Sequence, residues 1–182
     1  MTTLALSRSS PTNNTLTDHN GTVTYDVSTP FSFRNSTTTI KRNDQVLAII
    51  KWGVFGGSEL TMGGMSAPLN DVFPRAGKLS SSRIFTTADG ERLKWKYKSK
   101  LKCVSPDSGH SLATYDYKLF AGIRNKKSTL NISPDATHLT DILVVTWVIA
   151  EKKAQDERSA ASSSGSGAAA VAASGGGGGG GC

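Results

Sequence analysis

Short runs of alternating apolar and polar residues, separated by turn residues, fill most of the chain before residue 135. In the run 22–27, Val23, Tyr25 and Val27 alternate with threonine and aspartate, and such alternation gives a strand one apolar and one polar face. Similar runs of β-forming residues lie at 37–41, 46–52, 59–62, 83–87, 92–103, 111–117, 119–124 and 129–132. About eight to ten short strands at this spacing predict an antiparallel barrel or sandwich.

The segment from Leu139 to Arg158 differs from these runs because it contains neither glycine nor proline. Its β-branched residues favour a strand, whereas its uninterrupted length and charged second half favour a helix of about five turns. We therefore predict a helix at residues 138–157, with Thr137 as the candidate N-cap. Apolar residues cover every face of its first half, so this part must be enclosed on all sides. In a small β-rich domain the natural place for it is the interior of a barrel.

The most regular feature of the chain is a series of basic residues at alternate positions in the run 91–103. The series consists of Arg92, Lys94, Lys96, Lys98, Lys100 and Lys102. If the run is one extended strand, these side chains share one face over about 33 Å. Leu93, Trp95 and Tyr97 then lie on the opposite face and hold the strand to the core. The preceding Asp89-Gly90 predicts a type I′ turn, whose central residues need positive φ.

The formal net charge of the chain is +7, and the basic residues of this series account for all but one unit of it. The excess charge therefore lies on one strand face, which is the candidate ligand-binding surface. An anionic phospholipid or phosphoinositide surface is the leading ligand hypothesis. The alternative is a structural or protein-interaction domain without lipid binding, in which the lysines only suppress edge-to-edge association, as is common on solvated strand faces. Nucleic acid is disfavoured because Trp95 and Tyr97 point to the other face. No protein partner is identifiable.

Both ends of the chain differ in composition from the middle. Residues 1–15 are polar and show no periodicity, so they are predicted to be disordered. Residues 159–182 consist of serine, alanine and glycine apart from Val171 and Cys182, and they include seven consecutive glycines. Such a tail cannot bury enough apolar surface to offset its ordering entropy, and it is also predicted to be disordered. The folded domain is therefore expected at residues 16–158.

The sequence also predicts where the protein is found. The first residues contain no apolar run long enough for a signal peptide. The longest apolar run, 142–150, covers about half of a bilayer span, so no transmembrane segment is predicted. The two cysteines, Cys103 and Cys182, do not form a disulfide framework, which is typical of a reducing compartment. These observations favour a cytoplasmic protein that is peripheral at membranes, with lipid modification of Cys182 as the alternative to a plain chain end.

Residue types used in catalysis and metal binding are present but do not form recognisable motifs. The glycine-rich stretch 53–64 lacks the Lys-Ser/Thr pair that ends a phosphate-binding loop, so it is predicted to form turns. Ser108, His110 and Asp116 include the residue types of a catalytic triad, but no Gly-x-Ser-x-Gly elbow supports a nucleophile. None of the histidines has a second metal ligand at a suitable spacing. The sequence therefore predicts a non-enzymatic domain without a metal site or cofactor.

The order of several short motifs resembles that of a known family. The motifs are Ile49-Ile-Lys-Trp52, Ser82-Arg-Ile-Phe85, Asp89-Gly90, Leu93-Lys-Trp-Lys-Tyr97, Ala113-x-Tyr115 and Asp141-Ile-Leu-Val-Val-Thr146 followed by Glu151-Lys152. Over residues 16–158 the chain resembles an uncharacterised domain family of mushroom-forming fungi, domain of unknown function 6593, which is similar to tubby C-terminal and LURP-one-like barrels. The resemblance implies an antiparallel β-barrel around a buried C-terminal helix. Tubby relatives bind phosphoinositides, but their binding residues have no match here, so the resemblance adds that ligand only as a hypothesis.

Overall fold

The computed structural model describes residues 1–32, 36–53, 57–77, 80–118 and 127–164. The strands are β1 (Thr2–Leu6), β2 (Asn14–Thr17), β3 (Val23–Ser28), β4 (Ser36–Arg42), β5 (Gln45–Trp52), β6 (Glu59–Met62), β7 (Met65–Pro68), β8 (Arg83–Thr86), β9 (Arg92–Tyr97), β10 (Leu101–Val104), β11 (Ser111–Asp116) and β12 (Thr129–Ile132). The helices are α1 (Leu69–Val72), a 3₁₀ helix (Pro134–Leu139) and α2 (Thr140–Ser164). The predicted strand at 119–124 lies outside the described residues.

The described strands form one antiparallel sheet in the order β7-β6-β5-β4-β3-β2-β1-β12-β11-β10-β9-β8. The sequence prediction of a mainly β protein with one C-terminal helix is therefore confirmed. The sheet does not close by pairing of its end strands β7 and β8, so the finer prediction of a barrel is not confirmed. Between these strands the chain forms the short helix α1 and bends, with Leu69 and Phe73 fully buried. An isolated bridge between Arg75 and Arg83 extends the edge of β8.

The N-terminal residues form a strand in the middle of the sheet. Strand β1 pairs with β12 on one side, where Leu4 lies opposite Leu130, and with β2 on the other side, where Leu6 lies opposite Leu16. The side chains of Leu4 and Leu6 are 1% and 2% exposed. The prediction that residues 1–15 are disordered was therefore wrong. Two alternating leucines are too short a pattern to be recognised, but pairing on both sides supplies the backbone hydrogen bonds that hold the strand.

The loop that follows β1 is held by one buried amide. The Asn14 side-chain oxygen accepts hydrogen bonds from the backbone N–H groups of Ser7 and Arg8, at 3.0 and 3.2 Å. Its side-chain nitrogen donates to the carbonyl oxygens of Arg8 and Ser10, at 2.7 and 2.9 Å. Because the buried Asn14 amide satisfies four backbone groups, this loop is ordered without an apolar core of its own.

The C-terminal helix α2 passes through the hydrophobic core. Seven consecutive residues are fully buried, namely Leu143, Val144, Val145, Thr146, Trp147, Val148 and Ile149. The indole N–H of Trp95 donates to the Thr146 hydroxyl at 2.9 Å, and that hydroxyl donates to the carbonyl oxygen of Ile142 at 2.7 Å. The rings of Trp147 and Tyr115 lie with their centroids 5.3 Å apart. The prediction that this helix is enclosed on all sides is confirmed.

The bounds of this helix differ from the predicted 138–157. The first predicted residues belong to the 3₁₀ helix, and α2 then continues to Ser164. The sequence predicts a disordered tail from residue 159 onward. The first six residues of that tail, 159–164, are helical in the structure. Alanine and an already formed helix both favour this extension, because each added residue completes one more backbone hydrogen bond. The rest of the predicted tail, residues 165–182 with Cys182, lies outside the described residues.

The first turn of α2 is fixed to the sheet by a carboxylate. The Tyr25 hydroxyl donates to Asp141 Oδ1 at 2.5 Å, and Arg42 Nη1 lies 3.0 and 2.8 Å from the two carboxylate oxygens. Burial raises the pKa of Tyr25 above its ordinary value, and the hydrogen bond to Asp141 raises it further. Tyr25 therefore stays protonated and donates to the carboxylate, so that Asp141 ties the helix to strands β3 and β4.

Replacing this carboxylate by its amide should weaken the fold measurably. Asp141→Asn keeps the shape of the side chain but removes the charge that Arg42 and Tyr25 recognise, and we expect a loss of about 1–2 kcal/mol of unfolding free energy. Urea denaturation followed by circular dichroism measures this loss. Asp156→Asn in the same helix is the control, because its ion pair with Lys152 is exposed and contributes about 0.2–0.5 kcal/mol. Equal losses in the two variants would show that Asp141 is an ordinary surface residue.

Candidate functional site

The basic series identified in the sequence forms a hairpin in the structure. Strand β9 ends at Tyr97, residues 98–100 form bends, and β10 returns so that Leu101 pairs with Tyr97 and Lys102 with Lys96. The prediction of one continuous strand with a 33 Å ladder was therefore wrong. In a continuous strand, Ser99 would have faced the core together with Leu101 and Cys103. In the hairpin Leu101 and Cys103 are buried, and the turn leaves Ser99 exposed. The three polar residues 98–100 between two alternating patterns were the signal for this turn.

The hairpin brings cations together across its two strands. Lys96 and Lys102 lie directly opposite each other, and both side chains are exposed. Lys94 is partly buried opposite Val104, and Lys98 is exposed in the turn. Side chains in opposed positions lie about 5 Å apart at their Cβ atoms, and like charges placed so close destabilise a strand pair. The hairpin therefore carries a charge repulsion that a bound anion would relieve.

Two basic residues of the series have acidic neighbours. Arg92 Nη1 lies 3.4 Å from Asp107 Oδ1, and Lys100 Nζ lies 2.6 Å from Asp116 Oδ1. Hydrogen bonds from Lys100 and then from Lys118 lower the pKa of the Asp116 carboxyl below its usual value. The remaining basic residues of the series have no carboxylate partner within the part of the chain that the structure describes. They are Lys94, Lys96, Lys98 and Lys102, and we call them the hairpin lysines.

A partly exposed aromatic ring lies at the tip of the hairpin, on the strand face opposite that of Lys96 and Lys102. Trp95 is fully buried, as expected for a residue that holds β9 to the core, but Tyr97 at the end of the strand is 41% exposed. The guanidinium of Arg158 lies over the Tyr97 ring, 5.1 Å from its centroid. The tip of the hairpin therefore combines lysines with a partly exposed tyrosine, which sequence reasoning had placed wholly in the core.

A cavity of about 220 Å³ lies beneath the hairpin, between α2 and strands β8 and β9. Its apolar wall includes Trp95, Leu101 and Ala154. Three basic side chains line the same cavity, and one of them, Arg158, is bound to Glu151 at 2.9 Å. The other two, Arg83 and Lys153, have no salt bridge among the described residues. These residues are 70 positions apart in the chain, and only the packing of the helix against β8 brings them together. No local sequence pattern could have identified this pair.

Other candidates from the sequence do not assemble into a site. His110 and Asp116 stand at opposite ends of β11, which separates them by about 20 Å. Gly57, Gly63 and Gly64 have φ angles of 81°, 59° and 79°, so they serve turns, as predicted. In the described ranges no group of three or more histidine, cysteine, aspartate or glutamate side chains could hold a metal ion. The Cys103 thiol is buried, and burial raises its pKa, so it is not a reactive nucleophile.

Comparison with known proteins adds one relationship. The model of a family described as "Family of unknown function (DUF6593)" matches residues 9–156. No curated protein matches the chain, and no solved structure matches it. Of the helices in the described ranges, none has the length and apolar character needed to cross a bilayer.

Proposed function

We propose that this chain, which belongs to the DUF6593 family of unknown function, is a non-enzymatic domain that binds anionic membrane lipids through its β9–β10 hairpin. The proposal places it in the cytoplasm, at membrane surfaces that carry phosphatidylserine or phosphoinositides. The wider relationship to tubby and LURP-one-like barrels, and an origin in mushroom-forming fungi, belong to the same proposal. The order of the sequence motifs and the enclosed helix α2 support that relationship.

The observation that carries the proposal is the group of hairpin lysines without carboxylate partners. A basic residue near an anionic leaflet contributes about 1 kcal/mol of binding free energy. Four such residues would give about 4 kcal/mol, which corresponds to weak, reversible association. Because the basic series is folded into a hairpin, the hairpin lysines lie in a compact area that can contact a flat membrane. A continuous strand on a curved sheet could not have placed all its charges on one plane.

The exposed ring of Tyr97 supports a membrane rather than a nucleic acid. Tyrosine is enriched at membrane interfaces, where its ring contacts the acyl region and its hydroxyl remains hydrated. Single-stranded nucleic acid would need several aromatic platforms among the charges. Among the described residues of the hairpin, Trp95 is buried and only Tyr97 is available. An anionic lipid headgroup is therefore the better match for this surface.

Liposome flotation tests the proposal. The protein should float with vesicles containing phosphatidylserine or phosphoinositides at about 50 mM salt, and the bound fraction should fall as salt is raised to about 300 mM. The triple variant Lys96→Gln, Lys98→Gln, Lys102→Gln removes three of the hairpin lysines. At about 1 kcal/mol each, the loss should weaken binding more than 100-fold.

A second triple variant with the same loss of charge is the matched control. Arg8→Gln, Lys41→Gln and Lys51→Gln also remove three positive charges, but they lie on or beside strands β1, β4 and β5, away from the hairpin. This variant should float nearly as well as the unmodified protein. If both triple variants lose binding equally, only net charge matters. If the unmodified protein does not float at low salt, the alternative of a structural or protein-interaction domain is correct.

A further inference from the structure

The cavity beneath the hairpin is lined by two cations that have no carboxylate in direct contact in the described ranges, Arg83 and Lys153. Arg83 is only 7% exposed and Lys153 is half-buried, and neither has a salt bridge among the described residues. Burial lowers the pKa of Lys153, and repulsion from Arg83 lowers it further. Burial also lowers the pKa of Arg83, with a smaller contribution from repulsion by Arg75. Glu157 and Asp156 offset part of this cost, and an anion bound between Arg83 and Lys153 would relieve the remaining repulsion.

The acidic residues around the cavity already have partners. Glu157 lines it, but its carboxylate is bound by Arg75 at 2.9 Å. The buried carboxylate of Glu151 accepts hydrogen bonds from Arg158 at 2.9 Å and from Gln155 at 3.0 Å. The carboxylate of Asp156 is bound by Lys152. Arg75, Arg158 and Lys152 therefore have carboxylates in direct contact. Arg83 and Lys153 feel the charges of Glu157 and Asp156 only at longer range, and neither forms a salt bridge among the described residues.

A role in holding the fold together explains why a cation is buried at Arg83, but it does not explain the buried cation at Lys153. Arg83 Nη1 donates to the carbonyl oxygen of Phe73 at 2.9 Å, and this bond closes the gap next to α1. Lys153 makes no hydrogen bond in the described residues, and its ammonium lies 5.9 Å from the centroid of the Trp52 ring. That distance is at the limit of a cation–π contact. A leucine or methionine would cover the same apolar surface without the cost of burying a charge.

The rest of the cavity wall is apolar. Trp95, Leu101 and Ala150 are buried there, and Ala154 is partly exposed. The volume of about 220 Å³ exceeds that of an engineered apolar cavity of about 150 Å³ which binds benzene in another protein. An occupant with one ring or a short alkyl chain would therefore fit, with its charged group at Arg83 and Lys153.

We infer that this cavity is a binding site for a small amphipathic anion, a phosphate or carboxylate attached to a ring or short alkyl chain. Arg83 and Lys153 bind the anionic group, and Trp95, Leu101 and Ala154 contact the apolar part. The inference does not depend on lipid binding by the hairpin. The same chemistry is offered by a soluble metabolite or by a lipid that places its headgroup in the cavity.

Isothermal titration calorimetry with the full chain and phenyl phosphate tests this site. Phenyl phosphate should bind at least about tenfold more tightly than inorganic phosphate, which lacks the apolar part, or phenol, which lacks the charge. Lys153→Met should weaken binding of phenyl phosphate at least about tenfold, because a charge-assisted contact is lost. Equal binding of phenyl phosphate and inorganic phosphate would overturn the inference.

Two further variants make the test specific. Lys152→Met is the matched control, since Lys152 lies 5.8 Å from the same Trp52 ring but does not line the cavity, and it should bind within about twofold of the unmodified protein. Ala154→Leu fills the cavity and keeps both charges, and it should lose binding as Lys153→Met does. If Ala154→Leu binds normally, the ligand is not in the cavity. Lys153→Met should melt at the same temperature as the unmodified protein or higher, whereas a lower melting temperature would indicate a purely structural lysine.

Vesicle flotation of Lys153→Met distinguishes the two ligand sources. If the variant loses phenyl phosphate but floats normally, the site takes a soluble anion and acts apart from the hairpin. If flotation is also lost, the occupant is a membrane lipid. The hairpin variant Lys96→Gln, Lys98→Gln, Lys102→Gln should keep phenyl phosphate binding, so failure of the hairpin proposal and failure of the cavity proposal give different results.

Discussion

Val145→Asp should leave the chain unable to fold. Val145 is 0% exposed and lies in the stretch of α2 that is buried on every face. A carboxylate at this position loses its hydration and gains no compensating charge, which costs several kcal/mol even after protonation or local rearrangement. A domain of this size is stable by about 5–15 kcal/mol in total. Circular dichroism should show no cooperative thermal transition, and the expressed protein should be largely insoluble.

The same chemical change at an exposed valine provides the control. Val23 in β3 is 52% exposed, so Val23→Asp should change the unfolding free energy by no more than about 0.5 kcal/mol. The two variants have the same composition and net charge, and they differ only in where the carboxylate lies. A Val145→Asp protein that melts cooperatively near the temperature of the unmodified chain would mean that the first half of α2 is not enclosed by the sheet.

The predictable parts of the fold were those with a long or unambiguous pattern. Strand β3 was recognisable because Val23, Tyr25 and Val27 alternate with polar residues, and α2 was recognisable because its apolar residues cover every face. Strand β1 contains only Leu4 and Leu6 on its inner side, and its order depends on pairing with β2 and β12. The sequence did not reveal that β7 and β8 fail to pair, because the short helix α1 and its neighbouring bends lie between these two strands.

The two candidate sites also differ in how far the sequence alone reveals them. The basic series from Arg92 to Lys102 was visible as composition and spacing, but Ser99 at an inward position was not recognised as a turn. The sequence therefore identified which lysines to examine but not their arrangement. The cavity cations Arg83 and Lys153 could not be found from the sequence. Their proximity follows from the docking of α2 against β8, and no local pattern of residues encodes that contact.

Removing residues 1–6 should abolish folding, although these residues were predicted to be disordered. The deletion takes away strand β1 from the middle of the sheet, so β2 and β12 each lose one of their two partner strands. It also removes the buried side chains of Leu4 and Leu6, and the loss of one such leucine typically costs about 3–5 kcal/mol. Together with the unpaired backbone groups of the neighbouring strands, this exceeds the stability of most domains. Size-exclusion chromatography and thermal melting of the truncated chain measure the effect.

Substitutions in β1 separate the contribution of the leucines from that of the backbone. Leu4→Ala with Leu6→Ala keeps the strand pairing and should cost about 5–8 kcal/mol, because two cavities open in the core. Thr3→Ala is the control, since Thr3 lies on the other face of the strand and makes one side-chain hydrogen bond, to Asn131 at 3.0 Å. Its cost should be about 1 kcal/mol or less. If the truncated chain melts like the full chain, β1 is not part of the folded domain, as the sequence alone predicted.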